Sequence, residues 1–151
     1  MVKRTRFDAE PCPVARSVDA IGDWWSLLIV RDAFDGSRRF GDFQRGLGIA
    51  KNILTARLRG LVDAGILDRQ PAADGGPYQE YVLTPRGRDL FSVVVALRHW
   101  GERHFFEPGE PRSELLDRRD GKPLAPLEIR AADGRRVAAP ETEVRKVAAG
   151  E

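Results

Sequence analysis

The chain is poor in the residues that build metal centres, staples and membrane spans. It has one cysteine, two histidines and one methionine in 151 residues. A single cysteine excludes an internal disulfide and any multi-cysteine zinc or iron–sulfur site. His99 and His104 stand five apart, a poor pair for one helix face, so no cofactor and no metal is expected. No apolar run approaches the roughly 20 residues that span a bilayer, so no membrane partner is expected. The first ten residues are charged and lack an apolar signal core, which points to a cytoplasmic protein. No GxSxG, no P-loop and no nucleophile–base set is found, so an enzyme is not expected.

What is present is ordinary for a folded domain, with 42% hydrophobic and 32% charged residues. A chain of this length buries roughly 70% of its unfolded surface and needs no staple. The formal net charge is only +2, but it is unevenly spread. Residues 38–59 hold Arg38, Arg39, Arg45, Lys51, Arg57 and Arg59 against one acid, Asp42. Such a patch attracts a polyanion whatever the total charge, although a solvated helix face is the commoner outcome.

Local signals order the chain. Pro13 suits a first helical turn, and Val14, Val18 and Ile21 follow at helical spacing. Gly22 interrupts, and Asp23 is an N-cap for a second helix reaching Phe34. That helix is apolar nearly all round, which places it centrally in the core. Arg38-Arg39-Phe40 reads as a very short strand or an extended link, and Gly41 to Leu47 as a short helix. A further helix is expected from Ala50 to Ala64, with Ile53, Leu54, Leu58, Leu61 and Val62 on one face and Gly65 as left-handed terminator. Ile66 to Pro71 and Tyr78 to Leu83 read as a hairpin. Thr84-Pro85 then opens one long helix to Phe106, where Val93-Val94-Val95 broadens the apolar stripe and suggests a second contact surface.

The composition changes after Pro108, where prolines disfavour long helices. Leu127, Ile129, Asp133-Gly134 and Val137 suggest a small hairpin, with a loose end from Glu143. The expected organisation is an N-terminal arm (1–10), a main domain (11–107) and an extension (108–151). The expected fold class is mainly α with a small β wing, a winged helix-turn-helix domain followed by a short hairpin-like extension.

A short helix, a glycine-containing turn and an amphipathic helix make a helix-turn-helix, and the hairpin after it makes a wing. The basic residues fall on the turn, on the second of these helices and on the wing at Arg69. Lys51, Asn52 and Thr55 begin the helix that would enter a major groove, where lysine can donate to guanine and asparagine can pair with adenine. Arg38, Arg39, Arg57, Arg59 and Arg69 suit phosphates, which fix position without reading sequence. A winged helix used only for protein contacts is the alternative, and it would not need Lys51, Asn52 and Arg59 on an exposed face.

Several segments resemble the HxlR-type transcriptional regulators. They are Cys12-Pro13-Val14, Ile21-Gly22-Asp23-Trp24-Trp25-Ser26-Leu27-Leu28-Ile29, Arg39-Phe40-Gly41-Asp42-Phe43, Ile49-Ala50-Lys51-Asn52-Ile53-Leu54-Thr55-Ala56-Arg57-Leu58 and Tyr78-Gln79-Glu80-Tyr81-Val82-Leu83-Thr84-Pro85-Arg86-Gly87. The resemblance runs over residues 11–106 in the family's order and spacing. It implies a homodimer on a double-stranded DNA operator, most often a repressor, with the first and last long helices building the dimer. Two departures stand out. Ala50 replaces the usual serine or threonine cap, at a cost of about 1 kcal/mol. In the extension, Asp120-Gly121 and Asp133-Gly134 stand where some longer members carry Cys-Gly pairs, so a hairpin held by packing without zinc is expected.

The resemblance also makes Cys12 a candidate sensor of oxidants or electrophiles, since some relatives sense through the matching cysteine. A helix N-terminus favours thiolate, and Arg16 would assist while Glu10 would oppose. A buried or half-buried structural thiol is the alternative. Trp24, Trp25, Trp100, His104 and Phe105 are candidates for a pocket taking a small apolar effector, or for the dimer interface, with plain core packing as the alternative.

Overall fold

The computed structural model describes residues 5–148. Parts of the expected arm (residues 1–4) and of the expected loose end (149–151) lie outside the described residues. The chain forms two compact units, divided between Val94 and Val95.

The first unit contains α1 (Pro13–Ile21), α2 (Trp24–Phe34), α3 (Phe40–Leu47) and α4 (Lys51–Asp63). The strands β1 (Leu67–Pro71) and β2 (Gln79–Leu83) and the short helix α5 (Pro85–Arg88) follow. The last helix, α6 (Phe91–His104), begins in this unit. The arm is anchored to α1, because the Phe7 amide donates to Asp19 Oδ1 at 3.0 Å. Pro13 occupies the first turn of α1, as its missing N–H allows. Asp23 caps α2 by accepting the Ser26 amide.

Ile29, Val30, Phe43, Leu54, Leu58, Leu61 and Leu67 are closed from solvent and form the centre of the core. Each such side chain contributes about 1.5–3 kcal/mol by leaving water. Helix α2 is central through Ile29 and Val30, but it is not uniformly apolar inside. Ser26 and Asp32 are buried, whereas Trp24 is 74% exposed. The Ser26 hydroxyl donates to Asp23 and Arg31 pairs with Asp32, which is how these polar groups are accommodated.

Residues 38–39 form an extended link and not a strand, although the Tyr81 amide donates to the Arg38 carbonyl at 2.7 Å. Helix α3 starts where Asp42 reaches back to the Arg38 and Arg39 amides. It ends at Gly48, whose φ of 63° is the left-handed turn that a side chain would strain. Helix α4 starts without a side-chain cap at Ala50, as expected from that alanine. Its end is a Schellman closure: Gly65 has φ 74°, its amide donates to Val62, and the Ile66 amide donates to Leu61.

The wing is antiparallel, with Leu67 opposite Leu83 and Pro71 opposite Gln79. The single long helix expected after Thr84 is instead two. Thr84 caps α5 by accepting the Gly87 amide, and its hydroxyl donates to the Gly65 and Ile66 carbonyls. Arg86 donates to Ala64 and Arg88 to Leu83. These bonds fix the direction of α5 against the wing base, the Leu90 amide tightens onto Gly87, and α6 starts afresh at Phe91. Helix α6 ends at His104, short of the expected Phe106.

The second unit comprises the rest of α6 and the extension. The extension has two small turns where one hairpin was expected. In the first, Leu116 bridges Pro123 around Gly121 (φ 70°); in the second, Arg130 bridges Arg136 around Gly134 (φ 90°). Asp117, Asp120 and Asp133 accept the amides two residues on, from Arg119, Lys122 and Arg135. Most side chains there are exposed, so local hydrogen bonds hold the turns more than packing does. Residues 143–148 form no helix or strand. Among the described residues, no helix is long and apolar enough to cross a membrane.

Candidate nucleic-acid interface

Leu54, Leu58 and Leu61 turn one face of α4 into the core. Helical geometry therefore sends Lys51, Asn52, Thr55 and Arg59 outward on the opposite face, and all four are exposed. Thr55 donates its hydroxyl to the Lys51 carbonyl at 2.8 Å, which leaves its lone pairs free to accept. The face carries positive charge at both ends and a bidentate amide near its start. Ala56, exposed beside Asn52 and Thr55, adds only a methyl group to it.

The remaining basic residues are held by other parts of the first unit. Arg38 reaches Glu80 at 3.3 Å. Arg39 meets Asp74 at 2.6 Å and Glu80 at 4.0 Å, and its guanidinium carbon lies 5.6 Å from the centre of the Tyr78 ring. Arg69, on β1, lies 5.6 Å over the Tyr81 ring. Arg57 turns sideways along α4 and pairs with Asp23 at 3.0 Å. The structure thus brings Lys51, Asn52, Thr55 and Arg59 together, gathers Arg38 and Arg39 at the start of α3, and places Arg57 against α2.

The local charges shift the carboxyls involved. The Asp74 carboxyl is held below its ordinary value by the Gly76 amide and then by Arg39, and Arg39 is raised in turn by its bond to Asp74. The Arg39 amide, helped by the Arg38 amide and by Arg45, holds Asp42 below its ordinary value against the opposing effect of desolvation. Sequence reasoning did not single out Asp74, Tyr78 or Glu80. Their partners lie 35 or more residues away, beyond the reach of periodicity.

Cys12 is exposed in the single chain and forms the N-cap of α1. Arg16 does not turn to the sulfur; its Nε donates to the Glu10 carbonyl. The aromatic candidates fall in separate units. Trp24 and Trp25 belong to the first, where Trp25 packs on the core. Trp100, His104 and Phe105 cluster in the second, with Trp100 ring centres 5.5 Å from His104 and 5.1 Å from Phe105.

The family model of the HxlR-like helix-turn-helix matches residues 20–108, more than half of the chain. The chain belongs to the HxlR-like helix-turn-helix family. An uncharacterised HTH-type transcriptional regulator of Mycobacterium tuberculosis is 44% identical over 110 residues, covering 73% of this chain and 68% of that protein. The crystal structure of PA1607, described as a candidate transcription factor, is 52% identical. It matches with a TM-score of 0.88 over 93% of this chain and 98% of PA1607. The redox regulator HypR in its oxidized form is 35% identical, with a TM-score of 0.57 over 64% of this chain and all of HypR. This HxlR-like protein is accordingly a transcriptional regulator of the helix-turn-helix type, mainly α with a small β wing.

Proposed function

We propose that the protein is a homodimeric, sequence-specific DNA-binding repressor, released from its operator by a small-molecule or redox signal. The outward face of α4 carries this reading. Lys51, Asn52, Thr55 and Arg59 stand exposed on a helix whose other face is locked into the core. A rigid helix with polar residues at its start is what a major groove accepts. In this reading Lys51 and Asn52 address base edges, and Thr55 reaches a base or a phosphate. Arg38, Arg39, Arg59 and Arg69 meet phosphates, and Arg57 does so from its place beside Asp23.

The dimer is supported by apolar side chains that the chain leaves uncovered. Val14 and Val18 are exposed on α1, and Leu97 and Trp100 on α6, with Phe105 just after it. A two-fold dimer would present two α4 helices to half-sites about 34 Å apart, or a small multiple of that. A signal that biases the dimer toward another spacing needs a coupling of only about 1–3 kcal/mol. The redox form of the signal is supported by the exposure of Cys12 and by the likeness to a redox regulator. Two Cys12 thiols would join as a disulfide, giving two protons and two electrons to the oxidant.

Selection from a randomised duplex pool, sequenced at two salt concentrations, tests the reading. A recovered palindrome is expected, with affinity falling steeply as salt rises. Binding that is sequence-blind, or no binding at all, would transfer the assignment to a winged helix that meets protein.

A further inference from the structure

Two carboxylates of the wing share Arg39, and one of them also holds Arg38, but their surroundings differ. Glu80 is on β2 and only 7% exposed. It accepts from Arg38 at 3.3 Å, lies 4.0 Å from Arg39, and accepts the Ala73 amide at 3.4 Å. It therefore ties the extended link before α3 to the loop of the wing. Asp74 sits in that loop with its side chain 60% exposed, and it holds Arg39 at 2.6 Å. Arg38 is held a second time, because its carbonyl accepts the Tyr81 amide at 2.7 Å.

We propose that these carboxylates act in opposite senses on DNA: Glu80 is a positioning residue that sets Arg38 and Arg39 for the phosphate backbone, whereas Asp74 occupies Arg39 as a stand-in for phosphate until DNA displaces it. The proposal rests on the DNA-binding reading above.

Burial separates the two roles. Releasing Arg38 and Arg39 from Glu80 would leave a carboxylate shut from water without its charge partners, which is strongly unfavourable. A phosphate therefore adds to this contact and does not replace it. Asp74 is open to water and loses little when its arginine leaves. The Tyr78 ring, 5.6 Å from the Arg39 guanidinium, remains to support that side chain through the exchange. The wing thereby holds the two arginines of the link in a fixed place while keeping Arg39 neutralised in the free protein.

Simple charge counting predicts the contrary for one of the two. Glu80→Gln and Asp74→Asn each remove one negative charge near a polyanion, so both should tighten binding. The proposal predicts opposite signs. Asp74→Asn should bind the selected operator and an unrelated duplex about two- to fivefold more tightly, because phosphate contacts carry no sequence. Glu80→Gln should weaken operator binding about tenfold. Its slope of log affinity against log salt should be shallower by about 0.9 for each phosphate that the arginines no longer reach. A purely structural role would lower the melting temperature of Glu80→Gln and leave that slope unchanged in the folded protein.

The Asp74 arm does not depend on Glu80→Gln folding. In an Arg39→Ala background, Asp74→Asn should lose its gain. An equal gain with and without Arg39 would overturn the stand-in role. Tighter binding by Glu80→Gln, or an unchanged salt slope, would overturn the positioning role. Either result with a parent protein that binds DNA leaves the DNA-binding reading intact. A parent protein that binds no duplex removes that reading and this inference together.

Discussion

Arg57 Nε donates to Asp23 Oδ1 at 3.0 Å, and the same oxygen accepts the Ser26 amide that starts α2. One carboxylate thus caps the central helix and fastens α4 to it. The residues are 34 apart in sequence. The orientation of the outward face of α4 depends on such fastening, because a rotation of the helix would carry Lys51 and Asn52 away from a groove.

Asp23→Ala should therefore destabilise the protein by about 1–2 kcal/mol, combining a lost cap with a lost half-exposed pair. Asp23→Asn keeps a capping oxygen and should cost less than half as much. Urea denaturation of the two variants checks this. Equal losses would mean that the ion pair, not the cap, carries the effect.

Acid should weaken the fold through the same carboxyls. Burial pushes the Asp23 carboxyl up, but the Ser26 hydroxyl and amide together with Arg57 outweigh it, and the result lies below the ordinary value of 3.8. Asp42 and Asp74 are lowered as well. A carboxyl whose folded value is depressed stabilises the fold above its unfolded value and loses that contribution as pH falls through the folded one. Stability should be level above roughly pH 5 and decline below roughly pH 4. Asp23→Asn should flatten that decline, and urea midpoints measured across the range would show an unaltered slope if Asp23 were not involved.

Gly87→Ala should be among the most damaging single-methyl changes. A Cβ there would lie 2.2 Å from the Ile66 carbonyl oxygen and 3.0 Å from the Leu83 side chain. Backbone cannot yield as a flexible side chain does, so a loss of about 3 kcal/mol is expected. Thermal unfolding measures it. A loss under about 1 kcal/mol would show that α5 can move away from the wing base.

Asn52→Ala should relax base preference at one position of each half-site, by about 1–3 kcal/mol of discrimination. Arg39→Ala, which removes a phosphate contact in this reading, should lower affinity on all sequences and shallow the salt slope by about 1. Repeating the pool selection with each variant distinguishes the two. Unchanged base preference in Asn52→Ala would mean that this residue does not read the groove.

Cys12→Ser should stay on the operator after an oxidant treatment that releases the parent. The thiol is exposed at the start of α1, so access does not limit the reaction. Gel shifts with and without oxidant, followed by reduction, provide the readout. Equal release of both proteins would exclude the thiol as sensor.

Much of the fold was legible because its signals are local. Asp23, Thr84-Pro85 and Gly65 mark helix ends through bonds that span a few residues. The leucines of α4 repeat at helical spacing, so its buried face, and hence the opposite exposed one, follows from periodicity. The break after α5 was not legible in this way. Residues 84–106 carry a continuous helical pattern, and only the approach of Gly87 to Ile66, with Thr84, Arg86 and Arg88 bonded to the wing base, ends the first piece.

Sequence signals were enough for the order of elements from α1 to the wing, the family and the face of α4 that turns outward. Those follow from motif order, caps and a repeat of three to four residues, all set by short-range geometry. The tertiary structure alone decided which carboxylate each arginine meets. Arg38 with Glu80, Arg39 with Asp74 and Arg57 with Asp23 are joined across 34 to 42 residues. Charge is visible in a sequence, but pairing depends on where the packed helices and the folded wing carry each side chain. Burial then gives similar carboxylates unlike roles, leaving Glu80 enclosed and Asp74 open to water.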